Sequence, residues 1–272
     1  MSYEHILYTV RDGLATLTFN RPGQLNAMNA QMMREIIAAL EELHADPAVR
    51  VGIITGAGSK AFMAGADLKE YAAQTPRQFD DFTWRGRHLY NLIESSNKPV
   101  IAAVNGFAFG GGFEIALACD LILAADTAKF GLPEILLNLI PGGGGTQRLV
   151  QKVGLNRANE LLLTGRTASA AELHAWGCVN ALHPADTLLA EVEKLARQLA
   201  EKEPAPLAAI KQLTRLAASP ISSATLTLEA QTVSRLYQSP AGQAKIQEFL
   251  QKSLERQKAK AAASSASAPA AS

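Results

Sequence analysis

Apolar and polar residues alternate differently along two parts of the chain. Ile6–Val10 and Leu14–Phe19 are runs with strand-forming composition, parted by Arg11-Asp12-Gly13, and Asp-Gly between such runs predicts a hairpin. Asn29 then stands where an N-cap belongs. Met32, Met33, Ile36, Ile37, Leu40 and Leu43 recur at helical spacing, which predicts a helix to about His44 that ends at Asp46-Pro47. Val51–Thr55 predicts a short buried strand closed by Gly56-Ala57-Gly58. Residues 61–67 read as a loop of small side chains, followed by one polar helical stretch to about Glu94. Pro99–Val104 predicts a buried strand, residues 111–118 a helix and Leu121–Ala124 another strand. Two short strand-like runs then lead to Pro133-Glu134, which reads as a helix start.

Beyond Pro141 helical periodicity dominates from Gln147 to Lys258, interrupted at Val179–Leu182 and by several prolines. The pattern predicts an α/β chain of repeated strand-strand-helix turns with a helical appendage. A doubly wound sheet and a solenoid-like spiral both satisfy it. Three segments are expected: a core over 1–195, a helical region over 196–257, and a disordered tail over 258–272 rich in Ala, Ser and Pro.

Composition narrows the function. Of 272 residues, 48% are hydrophobic and only 6% aromatic, so aliphatic side chains and Ala must fill the core. A formal net charge of +1 carries no electrostatic footprint for nucleic acid or an anionic membrane. No secretory signal and no membrane-length apolar run is expected. Cys119 and Cys178 form no Cys-x-x-Cys pair and sit in apolar segments, which fits buried thiols in a reducing, cytoplasmic setting. The five histidines have no metal spacing, and no Gly-x-Ser-x-Gly elbow exists.

The chemistry concentrates around Asn105–Glu114. Gly106, Gly110, Gly111 and Gly112 join a buried strand to an apolar helix, but match neither a dinucleotide fingerprint nor a phosphate-binding P-loop. Unpaired N–H groups at a helix start can bind a phosphate or polarise a carbonyl, and a plain packing turn is the other reading. Glu114, one turn into that helix, is either exposed or functional. Glu134 either opens a helix as an ordinary first-turn acid or, among Phe130, Leu132, Ile135, Leu136 and Leu137, has a raised pKa. Two carboxylates beside a candidate oxyanion hole can divide acid and base roles. The run Pro141–Arg148 could cradle a phosphate, though a flexible turn with Thr146 near a helix start fits it better.

These segments resemble the enoyl-CoA hydratase/isomerase (crotonase) superfamily. The resemblance is carried by Asn20-Arg21-Pro22 with Asn26-Ala27-Met28, by Ala61–Glu70, by Lys98–Glu114, by Cys119-Asp120, and by Phe130–Glu134 before Pro141–Arg148, and spans about residues 5–255. It implies a spiral of ββα units with a C-terminal helical trimerisation region, and a homotrimer or a hexamer built as a dimer of trimers. It implies an oxyanion hole from the amides of Ala66 and Gly111, one such donor being worth about 3 kcal/mol. Glu134 would pass a proton between water and the α-carbon, and Glu114 would hold and activate the water.

The resemblance also implies that coenzyme A lies along Ala64, Ala66, Asp67, Leu68 and Lys69 with Gly111, and that Lys69 and Arg21 are candidate phosphate partners. Trp84, Phe82, Phe109, Leu136 and Leu139 are candidates for the acyl pocket. The implied reaction is reversible syn hydration of a trans-2-enoyl-CoA, as in fatty acid oxidation, with no metal or cofactor beyond the thioester itself. Double-bond isomerisation or another acyl-CoA lyase reaction is the alternative, and an RNA-binding protein the non-enzyme one. Ala244-Lys245, Glu248-Phe249 and Lys252-Ser253 depart from the family's pattern near its last helix.

Overall fold

The computed structural model describes residues 3–217 and, beyond them, only positions 240, 244, 251 and 255. The expected tail, most of the expected helical region and the departures at Lys245, Glu248, Phe249, Lys252 and Ser253 lie outside the described residues. A compact unit runs through Gln212, and a second unit begins at Leu213.

Strands β1 (Ile6–Arg11) and β2 (Leu14–Phe19) pair antiparallel in full register from Ile6 with Phe19 to Arg11 with Leu14. Their two-residue turn puts Asp12 at φ 51° and Gly13 at φ 77°, the left-handed pair that a tight hairpin demands. Helix α1 (Ala30–Ala45) starts where Asn29 accepts the Met32 amide, and its predicted apolar stripe is buried except for the half-buried Ile37.

The next elements come in pairs of strands. β3 (Val51–Gly56) and β4 (Ala61–Met63) precede α2 (Leu68–Ala73) and α3 (Pro76–Ser95). β5 (Val100–Val104) and β6 (Phe107–Phe109) precede α4 (Gly111–Ala118). β7 (Leu121–Ala125) and β8 (Lys129–Gly131) precede a 3-10 turn (Pro133–Leu137), α5 (Gly145–Val153) and α6 (Leu155–Thr164). β9 (Ala168–Ser169), α7 (Ala170–Ala175), β10 (Ala181–His183), α8 (Leu188–Ala200) and α9 (Pro204–Ala217) complete the described chain.

The first strand of each pair joins one sheet, ordered β1-β2-β3-β5-β7-β10, and the second joins another, ordered β4-β6-β8-β9. β2, β3, β5, β7 and β10 run parallel, as do β4, β6 and β8. This alternation is a spiral of ββα turns and resolves the choice that periodicity left open. Residues 61–63 are therefore a strand rather than loop, and β6 and β9 went unpredicted. Three residues or fewer give too little alternation to signal a strand. The polar helical stretch is broken at Gln74-Thr75, where Thr75 and Gln78 form a capping box for α3. Only one strand, β8, forms between β7 and Pro133, and Glu134 sits in a single 3-10 turn rather than at the start of an α-helix.

Helix α4 touches β4, β5 and β6, so it packs on both sheets, and every residue from Gly112 to Ala118 is buried. It is apolar all round for that reason. A carboxylate placed on it has no exposed face to turn to.

Asn26 ties the first turn of the spiral together. It is wholly buried, with φ 56°. Its amide donates to the carbonyls of Ala57 (3.0 Å) and Ala61 (2.8 Å), and its oxygen accepts the Arg21 amide (2.9 Å). The backbone around it then clamps the following loop: Ala64 N donates to Leu25 O, Met28 N to Gly65 O, and Asp67 N to Met28 O. Asn26→Ala removes three hydrogen bonds of a buried side chain and leaves a β-carbon in the left-handed region without local support. We expect a loss of about 2–4 kcal/mol in urea unfolding; an unchanged midpoint would show that the network is dispensable.

Candidate active site

One cavity of about 530 Å³ draws its lining from the loop after β4, from α3 and α4, and from residues 133–143. Both predicted acids line it, together with Ala64, Ala66, Leu68 and Gly111.

The two amides follow from the local folds. Met28 and Ala66 form an isolated parallel bridge in which Met28 bonds to Gly65 O and to the Asp67 amide. That pattern uses the neighbours of Ala66 and turns its own N–H away from Met28. Gly111 is the first residue of α4, so its N–H has no intrahelical acceptor. Among the described residues neither amide has a hydrogen-bond acceptor. Gly110, the residue before, holds φ 50° and ψ −126°, and a β-carbon there would lie 3.1 Å from Glu134 Oε1. Only glycine gives both that backbone and that approach.

Glu114 is 3% exposed. Its Oε1 accepts the amides of Gly143 and Gly145, each at 2.8 Å, and its Oε2 faces the Tyr90 hydroxyl at 3.4 Å. Burial pushes the carboxyl above the ordinary range, opposed by these hydrogen bonds and by the nearby Arg148 guanidinium. The glycine run thus does hold an acid's oxygen, but that oxygen belongs to the protein's own Glu114. Sequence reading missed this because the partner lies about thirty residues away on another element. A β-carbon on Gly143 would sit 2.1 Å from the Tyr90 ring, so the loop can come this close only as glycine. Arg148 fixes the loop's far side: it donates to Gly143 O and pairs with Glu94 at 2.7 and 2.8 Å.

Glu134 meets a different environment. Its Oε2 is buried and, among the described residues, has no hydrogen-bond partner. Burial pushes this carboxyl up to about 7; a hydrogen bond from its own backbone amide opposes the rise, and the nearby Glu114 adds to it. Of the two sequence readings, a solvated first-turn acid and a raised acid in apolar surroundings, the structure has the second.

The other candidates divide. Phe82, Phe109 and Leu139 line the cavity, whereas Trp84 (67% exposed) and Leu136 (69% exposed) do not. Met33, Phe79, Leu137 and Ile140 line it without having been singled out, and so does Tyr90. Asp67 and Lys69 are off its wall. Arg21 is not a surface charge: it is largely buried, and its guanidinium pairs with Asp67 (both contacts 3.1 Å) and donates to Ala27 O. Arg21 and Asp67 therefore brace the two loops that meet beside Ala66. Lys69 is exposed on α2. Cys119 and Cys178 are both buried thiols, and burial pushes the Cys178 thiol up to about 11, so it stays a protonated core residue.

The family described as enoyl-CoA hydratase/isomerase matches residues 9–262. A crotonyl-CoA hydratase of Syntrophomonas wolfei is 44% identical over 202 residues, 74% of this chain and 78% of that protein. A short-chain-enoyl-CoA hydratase of Clostridium acetobutylicum is 37% identical over 78% of this chain and 81% of its own. The crystal structure of an enoyl-CoA hydratase from Bacillus anthracis superposes with a TM-score of 0.88 at 34% identity, covering 92% of this chain and 97% of that one. The match extends through both sheets, the central helix and the loops that close the cavity, and on that ground the chain belongs to the enoyl-CoA hydratase/isomerase family.

Proposed function

We propose that this chain is an enoyl-CoA hydratase, which adds water reversibly across the double bond of a trans-2-enoyl-CoA to give the 3-hydroxyacyl-CoA. The observation that carries this reading is the meeting of two carboxylates of unlike environment with two unpaired amides around one cavity. The thioester carbonyl sits on the amides of Ala66 and Gly111. The acyl chain runs past Glu114 and Glu134 along the apolar wall of Phe82, Phe109, Leu137 and Leu139. Coenzyme A leaves along Ala64 to Lys69, with Lys69 rather than the ion-paired Arg21 free to meet a phosphate.

In the hydration direction, Oε2 of Glu114 accepts a hydrogen bond from water, whose oxygen bonds to the β-carbon. The π electrons move toward the thioester oxygen, where the amides stabilise the enolate. Glu134, in its acid form, gives its proton to the α-carbon. The proton lost by water passes to Glu114 and returns to Glu134 between turnovers, so the pair ends with the single proton it began with. No group beyond the thioester is asked to activate the substrate.

Glu114→Gln and Glu134→Gln should each lower the turnover of crotonyl-CoA by about 10²–10⁴-fold, followed as loss of enoyl absorbance. Wild-type rates in both variants would sink the mechanism. Turnover of a 3-enoyl-CoA without any hydration would replace it with isomerisation.

The active pair carries one proton. Because Glu134 is raised to about 7, kcat/KM should fall with rising pH through an apparent pKa near 7, where the pair becomes doubly ionised. Hydration consumes no net proton, so dehydration must show the same alkaline limb. A pH-independent rate from 6 to 9 would exclude a shared proton.

We further infer a homotrimer or a hexamer. Ile135, Leu136 and Leu163, none of which lines the cavity, are each at least 39% exposed in the single chain, an apolar patch that a lone protomer would leave in water. Light scattering should give a mass three or six times that of the chain, and a monomeric mass would refute it.

A further inference from the structure

Tyr90 is 4% exposed and lines the cavity, yet the reaction as written does not use it. Its ring packs against the Gly142–Gly145 loop on one side, and the Arg148 guanidinium lies 5.6 Å from its centroid. Phenylalanine would fill that volume equally well. The hydroxyl is thus a buried polar group that packing does not require, and burying one has a cost unless it finds a partner. Its partner is Oε2 of Glu114, at 3.4 Å. The phenol also lies beside the start of α4, 3.2 Å from where a β-carbon on Gly111 would be.

The two oxygens of Glu114 are unequal. Oε1 is held by two amides at 2.8 Å, and among the described residues Oε2 has only the long contact to Tyr90. A carboxylate oxygen can accept more than one hydrogen bond, so Oε2 keeps room for a water beside the phenol. Burial, and the charges of Glu114 and Glu134, push the Tyr90 phenol well above its ordinary range, so its proton stays on and is there to be donated to Glu114.

We propose that Tyr90 is a positioning residue for hydration: its hydroxyl fixes the direction of Oε2, the oxygen that receives the attacking water. The inference rests on the hydratase reading. It separates two half-reactions of the site. Water attack needs Glu114 and therefore Tyr90. Removal and return of an α-proton needs only Glu134 and the two amides.

The test compares Tyr90→Phe with wild type in two assays, crotonyl-CoA hydration and deuterium exchange at the α-carbon of butyryl-CoA in heavy water. Hydration should fall about ten- to a hundredfold in kcat with little change in KM, the loss of one donor to a charged acceptor. Exchange should stay within about twofold. Hydration should also fall at low pH as Glu114 takes up a proton, and in Tyr90→Phe that fall should begin at higher pH, because the Tyr90 hydrogen bond lowers the Glu114 pKa. An unchanged hydration rate, or equal loss of hydration and exchange, would overturn the inference. A wild-type protein that hydrates no enoyl-CoA would instead overturn the hydratase reading itself.

Discussion

A carboxylate buried on a helix with no exposed face is the constraint around which the cavity is built. Removing the Glu114 charge from water costs several kcal/mol unless hydrogen bonds replace the lost hydration. The amides of Gly143 and Gly145 supply that replacement, and they can do so only because the loop between Pro141 and α5 has no side chains to keep it at a distance. Arg148, held by Glu94, keeps the loop folded against the acid, and the Tyr90 ring fills the space beneath it. Residues from three helices and one loop thus converge on one buried charge.

The second acid is useful because it lacks such a cradle. Oε2 of Glu134 is buried and has no donor among the described residues, and the nearby Glu114 adds to the cost of ionising it. Burial raises both carboxyls, but two amides, Arg148 and Tyr90 oppose that rise at Glu114, so two chemically identical side chains meet unlike surroundings. Oxygens of both groups approach glycine backbone: Glu134 against Gly110, Glu114 against Gly143 and Gly145.

The spiral topology brings these parts together. Each turn sends one strand to each sheet, so the loop after β4, the start of α4 after β6 and the 3-10 turn after β8 stack at the same edge of the second sheet. Ala66, Gly111 and Glu134 come from those three successive turns. Asn26 and the Arg21–Asp67 pair lock the first of them, fixing which way the Ala66 amide points.

The sequence by itself determined the local structure wherever a signal is complete within a few residues. The Asp12-Gly13 hairpin, the Asn29 cap with its apolar stripe, the buried strands at Val51, Val100 and Leu121, and the apolar helix after Gly110 all formed as read. Motif resemblance also named the acids and amides that line the cavity. What only the tertiary structure decided are pairings between residues far apart in the chain. The choice of a spiral over a doubly wound sheet depends on strands of three residues, too short to alternate visibly. That Glu114 is the anion held by the glycine run, that Tyr90 faces it, and that Arg21 spends its charge on Asp67 follow from contacts across 24 to 46 residues. Local composition carries no record of such contacts, because each partner alone reads as an ordinary loop glycine, core aromatic or surface cation.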